Sequence, residues 1–149
     1  METPRITSLQ TTPGTFAERV GVELNRAERY RVFVSLTVLD LGAVREVAGE
    51  DASRILDRLI ETVNSSIRAC DFAALLEGHC LALLFPETPR QGAEIASRRL
   101  AGIIRSKLEE LTGQKTGGLI PVEIVSYPDT AGAKTLNHFL EDLVRRSRN

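Results

Sequence analysis

Two segments of this sequence carry residue types that could bind a metal ion or act as a nucleophile. One is the turn Glu77-Gly78-His79-Cys80 between two apolar runs, and the other is Asp40 at the end of an alternating, β-branched run. A carboxylate, an imidazole and a thiol could bind Zn²⁺, and a Cys-His pair could act as nucleophile and base. However, His79 and Cys80 are adjacent, and adjacent residues of a strand point to opposite faces. The sequence therefore favours a solvent-facing His79, a buried Cys80, no catalytic residue and no metal site.

The rest of the chain consists of predicted helices and strands that would support this hairpin. Apolar residues recur at helical spacing in some segments and alternate with polar residues in others. The predicted order is helix 15–30, strand 32–41, helix 50–69, hairpin strands 72–76 and 80–85, helix 89–111, strand 119–128 and helix 134–146. Pro121 cannot donate to a sheet, so it places the last strand at an edge. This order predicts an α/β sandwich with a central mixed sheet and a β-hairpin, flanked by helices.

Size, charge and cysteine content limit the kind of protein this can be. The chain has 149 residues and a net charge of −1, which predicts one domain without broad attraction to nucleic acid or membranes. Residues 1–14 are polar and predict a flexible lead-in, and residues 15–149 form the predicted domain. Two cysteines without a spacing pattern and no apolar run of about 20 residues predict a cytoplasmic protein without disulfides. Sixteen arginines against three lysines suit phosphate or guanine recognition, but a GC-rich bacterial genome would give the same bias.

The order of the elements and the sequences within them resemble the GGDEF domain, the fold of diguanylate cyclases. The resembling segments are FAERVGVELNRAERYR at 16–31, LDLG at 39–42 and RACDFAALLEGHCLALLFPET at 68–88. The last segment aligns with the family's signature hairpin without a gap, and Arg148-Asn149 resembles the family's C-terminus. The resemblance extends from about Phe16 to the end of the chain, and it implies the nucleotide cyclase-like fold.

The signature that gives this family its name is altered here. Its five positions fall on Glu77, Gly78, His79, Cys80 and Leu81. The resemblance implies that the third position and Asp40 would hold Mg²⁺ for phosphoryl transfer, but His79 is a poor ligand for a hard cation. Cys80 stands where the family has a second acid, and Glu77 adds bulk and negative charge where phosphates would lie.

The resemblance also implies an Asn and an Asp that hold guanine between Asp40 and the following helix. The segment 42–53 is short, contains no matching Asn, and has Ser53 at the expected position of the Asp. Together with the altered signature, these losses predict a degenerate GGDEF domain. We expect such a pseudoenzyme to have no diguanylate cyclase activity and no cofactor.

A second site implied by the resemblance is retained in outline. Many GGDEF domains carry an Arg-x-x-Asp just before the hairpin that binds cyclic di-GMP, and Arg68 and Asp71 have this spacing and offset. An arginine fork can bond O6 and N7 of guanine, and an aspartate can accept from its N1–H and N2–H. Arg99, or its neighbour Arg98, stands where a further arginine often completes that site. Chance would also explain the motif, because Arg54 and Asp57 repeat it elsewhere and such a pair can be a surface ion pair only.

Three functions remain open on these grounds. The first is a cyclic di-GMP receptor and regulatory signalling module that uses Arg68, Asp71 and Arg99. The second is a nucleotide-independent protein–protein interaction domain that binds an unknown protein partner. The third is residual GTP chemistry around Asp40, which the altered signature disfavours. A homodimer is compatible with each of them, whereas nucleic-acid and membrane partners are not expected.

Overall fold

The computed structural model describes residues 13–76, 79–114 and 120–128, together with residues 138, 139, 141, 142 and 145. Its elements are α1 Pro13–Tyr30, β1 Val34–Asp40, α2 Gly42–Ala48, α3 Ala52–Asn64, β2 Phe72–Leu76, β3 Cys80–Pro86, α4 Arg90–Thr112 and β4 Val122–Tyr127. The predicted order of helices and strands is confirmed in this part of the chain. The predicted lead-in 1–14 and the predicted helix 134–146 lie largely outside the described residues.

An additional helix and an earlier end of α3 are the main differences from the sequence-based prediction. The short helix α2 and a 3-10 turn at Gly49–Asp51 precede α3, where only a connecting segment was expected. In addition, α3 ends at Asn64 rather than near residue 69. The hydroxyls of Ser65 and Ser66 both donate to the carbonyl of Thr62, and such local bonds compete with continuation of a helix. The Arg68–Asp71 segment is therefore a turn between α3 and β2.

The four described strands form one sheet in the order β2-β3-β1-β4. Every described strand pair is antiparallel, so the predicted mixed sheet is corrected to an antiparallel one. The reason is that β1 and β2 run in the same direction, but the hairpin strand β3 lies between them and opposes both. The α/β class and the hairpin are confirmed, and β4 lies at an edge of these four strands, as Pro121 predicted.

Apolar residues on both faces of this sheet are covered by helices. On one face, Phe16, Val20 and Leu24 of α1 pack on the sheet. They form one cluster with every second residue of β1, counted from Val34, and every second residue of β3, counted from Cys80. On the other face, α3 and α4 cover Leu39, Leu81, Leu83 and Phe85. Burial on both faces explains the continuous apolar run of β3.

Among the described helices, none combines the length and the apolar character that a membrane span requires.

Candidate functional site

The turn between α3 and β2 holds Arg68 and Asp71 together, as their spacing predicted. The Arg68 backbone N–H donates to Asp71 Oδ2 at 2.9 Å, and Nε of the same arginine donates to that oxygen at 3.2 Å. Arg68 Nη2 donates to Asp71 Oδ1 at 2.9 Å, which makes the ion pair bidentate. The Asp71 side chain is 3% exposed, whereas that of Arg68 is 56% exposed. The pair therefore joins a buried carboxylate to a guanidinium that faces solvent.

A second set of contacts fixes Arg68 from the hairpin side. Its Nη2 also donates to Thr88 Oγ1 at 2.7 Å and to the carbonyl of Pro86 at 3.3 Å. Thr88 is itself held in place, because the buried Ser35 hydroxyl donates to its carbonyl at 2.7 Å. The hydrogen bond to Asp71 raises the pKa of Arg68, so this guanidinium stays charged at any physiological pH. The result is a rigidly oriented cation at the surface.

This arrangement changes the expected role of Asp71. The sequence suggested that its carboxylate could accept from a guanine base. In the structure, both carboxylate oxygens already accept from Arg68, and the side chain is buried. Asp71 thus positions Arg68, and Arg68 is the member of the pair that a ligand can reach.

Arg68 lies at the rim of a groove between α1 and the hairpin, which we call the α1 groove. Its volume is about 840 Å³, which is within the usual range for ligand-binding clefts. The charged residues that line it are Arg19, Glu23, Arg26, Arg68 and Glu87. Asp71 pairs with Arg68, and Glu23 and Glu87 pair with Arg19 and Arg26, so the α1 groove is lined by three arginines that are all held in ion pairs.

Ion pairs and one ring contact organise the α1 side of this groove. The largely buried Glu23 accepts from Arg19 at 3.0 Å and lies 3.7 Å from Arg26. Arg26 Nη1 also lies 3.4 Å from Oε2 of Glu87, the residue that directly follows β3. The Arg19 guanidinium lies over the Phe72 ring, 4.5 Å from its centroid, which creates a flat apolar-cationic surface.

Sequence reasoning missed this contribution of α1. Neither Arg19 nor Arg26 is among the site residues that the sequence predicted. The spacing of Arg19, Glu23 and Arg26 does place them on one helix face. However, spacing alone does not reveal which sheet edge that face meets.

The third predicted residue, Arg99, lies close to the same turn but outside the α1 groove. Its Nη2 donates to the carbonyl of Ser66 at 3.2 Å, so it contacts the turn two residues before Arg68. Within the described part of the chain, Arg99 is not among the residues that line the groove. The alternative residue, Arg98, is exposed on α4.

The altered signature lies at the opposite end of the hairpin. Glu77 and Gly78 lie outside the described residues, but His79, Cys80 and Asp40 are described. The donor atoms of these three side chains all lie within 4.8 Å of one another. The expectation that His79 and Cys80 point to opposite faces is therefore wrong. His79 belongs to the turn, where its N–H donates to the Leu76 carbonyl at 3.2 Å, so strand alternation does not apply to it.

The Mg²⁺ that the resemblance implies does not fit these residues. Mg²⁺ requires oxygen ligands in near-octahedral geometry, and of the three described residues in this cluster Asp40 alone supplies a carboxylate. An imidazole and a thiol are ligands for softer, borderline ions.

No protein-family model and no curated protein sequence matches the chain, but solved structures do. The GGDEF-only form of YfiN (TpbB) from Pseudomonas aeruginosa is 20% identical, with a TM-score of 0.65 over 99% of this chain and 87% of that one. The GGDEF domain of DgcB from Caulobacter crescentus, solved with c-di-GMP, is 16% identical, with a TM-score of 0.60 over 99% and 89% of the two chains.

A third similar structure is the diguanylate cyclase SiaD from P. aeruginosa, solved with its activator SiaC. It is 22% identical, with a TM-score of 0.63 over 89% of this chain, and this chain spans 53% of the SiaD chain. At these identities, the likeness concerns architecture. From its strand order, its hairpin and these structural neighbours, we conclude that the chain has the fold of the GGDEF domains of diguanylate cyclases.

Proposed function

We propose that residues 15–149 form a catalytically inactive GGDEF-like domain that acts in the cytoplasm as a cyclic di-GMP receptor and regulatory module. The observation that carries this proposal is the geometry of Arg68. Its guanidinium is oriented by Asp71 and Thr88, remains half-exposed, and lies at the rim of the arginine-lined α1 groove. That the similar DgcB domain was solved with c-di-GMP supports this choice of ligand.

The α1 groove offers complementary groups for each part of such a ligand. A guanine base can lie flat against the stacked Arg19 and Phe72. Nε and Nη2 of Arg68 donate to Asp71, so its Nη1 group is the part of the guanidinium that can bond a guanine edge or a phosphate. Arg26 adds a second cation for the phosphates. Arg99 would contribute when a ligand, or a second ligand molecule, extends across the turn at Ser66.

Calorimetric titration of cyclic di-GMP tests this proposal. We expect micromolar binding to the wild type and at least about 10-fold weaker binding to Arg68→Lys, because lysine keeps the charge but lacks the planar guanidinium that Asp71 and Thr88 orient toward the groove. Arg54→Ala is the matched control, since it removes the arginine of the second Arg-x-x-Asp and should bind as the wild type does. Arg99→Ala should show a smaller loss than Arg68→Lys.

Absence of heat from the wild type would overturn the receptor proposal, and so would equal binding by Arg68→Lys and the wild type. A loss in Arg54→Ala equal to that in Arg68→Lys would show that the effect is not specific to the α1 groove. A titration with GTP tests specificity, because the α1 groove is proposed to bind the cyclic dinucleotide and not the nucleoside triphosphate.

The proposed inactivity has its own test. Incubation with GTP and Mg²⁺ or Mn²⁺ should give no cyclic di-GMP, because His79 and Cys80 replace the oxygen ligands that such metal-assisted chemistry needs. Formation of cyclic di-GMP by the wild type, and its loss in Asp40→Ala, would show a working catalytic site and would contradict the proposed inactivity. Chromatographic analysis of the nucleotides provides the measurement.

A protein-interaction function is the second candidate, and a specific surface favours it. Tyr30 and Phe33 are 61% and 47% exposed at the end of α1 and the start of the sheet. Phe33 also lines a smaller cavity of about 330 Å³ with Tyr127 and Pro128. Exposed aromatic residues beside a cavity are typical of protein contacts. This function predicts that no nucleotide binds and that Arg68→Lys leaves partner capture unchanged.

A further inference from the structure

The cluster of Asp40, His79 and Cys80 has a chemistry that the receptor function does not use. Its donor atoms lie at the far end of the hairpin from Arg68, and all three side chains are half-buried. We propose that these residues form a binding site for a single transition-metal ion of the Zn²⁺ class. This site is independent of cyclic di-GMP binding.

Strand pairing brings two of the three ligands together. Asp40 and Cys80 are directly opposite each other in the antiparallel pair of β1 and β3. Opposed residues of such a pair project from the same face of the sheet, with Cβ atoms about 5 Å apart. A carboxylate oxygen and a sulfur atom can therefore reach a common ion without any change in the strands.

The turn supplies the third ligand. The carbonyl of His79 accepts from the Leu41 N–H at 2.7 Å, which ties the turn to the end of β1. This bond holds the imidazole beside the Asp40 carboxylate although the residues are distant in sequence. The three ligand atoms lie within 4.8 Å of one another. Ligands around a tetrahedral Zn²⁺ are separated by roughly 3.3–3.8 Å given its usual bond lengths, so small side-chain rotations complete the site.

The donor set and its charge select the kind of ion. A carboxylate, a thiolate and a neutral imidazole carry two negative charges, which a divalent ion neutralises. Sulfur and nitrogen ligands favour Zn²⁺, Co²⁺ and similar ions over Mg²⁺ or Ca²⁺. Three protein ligands leave one tetrahedral position open for water or an anionic oxygen.

Gly42 provides the support that metal-binding carboxylates normally have. Its N–H donates to Asp40 Oδ1 at 2.8 Å, which orients the carboxylate and leaves Oδ2 as the candidate ligand atom. A Cβ atom at position 42 would lie only 3.1 Å from Asp40 Oδ1 and 3.8 Å from His79 Cδ2. A side chain at position 42 would therefore press on the Asp40 carboxylate.

Titration of reduced, metal-free protein with Co²⁺ tests the site. We expect one ion per chain, visible bands of tetrahedral Co²⁺, and a thiolate-to-cobalt charge-transfer band. Zn²⁺ should displace Co²⁺, and a large excess of Mg²⁺ should not. Cys80→Ser should abolish the charge-transfer band. Asp40→Asn, His79→Gln and Gly42→Ala should each weaken Co²⁺ binding by about 10-fold or more.

Matched controls make the result decisive. Cys70→Ser and His138→Gln remove the other cysteine and the other histidine of the chain, and both should bind Co²⁺ as the wild type does. Circular dichroism confirms that each variant is folded. Absence of the charge-transfer band in folded wild type, a band that survives Cys80→Ser, or loss of the band in Cys70→Ser would overturn the proposal.

The two proposals can also be separated from each other. Cys80→Ser should bind cyclic di-GMP as the wild type does, and Arg68→Lys should bind Co²⁺ as the wild type does. Joint loss of both ligands in either folded variant would contradict the independence of the metal site.

Discussion

Replacement of Arg68 by alanine should lower the free energy of unfolding by about 3 kcal/mol. The reason is that the Asp71 carboxylate is buried and would lose the bonds from both guanidinium nitrogens, while Thr88 would lose a donor. Removal of Arg68 leaves the buried Asp71 carboxylate without its ion-pair partner. Denaturant titration monitored by circular dichroism measures this loss, and it corresponds to a fall in Tm of about 10 °C.

Two arginine variants serve as controls for this prediction. Arg99→Ala removes a single bond from an exposed side chain to the Ser66 carbonyl, so its loss should stay below about 1 kcal/mol. Arg68→Lys keeps a cation beside Asp71, so its loss in free energy of unfolding should lie between those of Arg68→Ala and Arg99→Ala. Equal stabilities of Arg68→Ala and Arg99→Ala would mean that Arg68 has no structural role. Because we expect a structural role, the lysine variant is the better probe of ligand binding.

Replacement of Phe16 by alanine should lower the free energy of unfolding more than Arg68→Ala does, by about 3–5 kcal/mol. Phe16 is fully buried where α1 packs on the sheet, so its truncation leaves a cavity that neighbouring side chains fill only partly. Loosening of α1 would also displace Arg19 and Arg26 from the α1 groove. We therefore expect weaker binding of cyclic di-GMP as well as a lower midpoint of denaturant unfolding.

Val22→Ala is the matched control on the same helix, because Val22 is 53% exposed. This change should cost less than about 0.5 kcal/mol. A loss below about 1 kcal/mol in Phe16→Ala would contradict the packing of α1 against the sheet. Unchanged cyclic di-GMP binding in a destabilised Phe16→Ala would show that the groove does not depend on α1.

The sequence by itself determined most of the local structure. Helical spacing and strand alternation depend only on neighbouring residues, so they predicted α1, α3 and α4 and both strands of the hairpin. Pro121 predicted an edge strand because it has no N–H to donate. The contact between Arg68 and Asp71 was predictable for the same reason, since three residues of separation span one turn.

Only the tertiary structure decided which distant residues meet. The insertion of β3 between β1 and β2 made the described sheet antiparallel and set Cys80 opposite Asp40. The packing of α1 placed Arg19 beside Phe72 and created the α1 groove. Strand register and helix docking follow from the shapes and burial of whole surfaces, and residue spacing along the chain does not encode them.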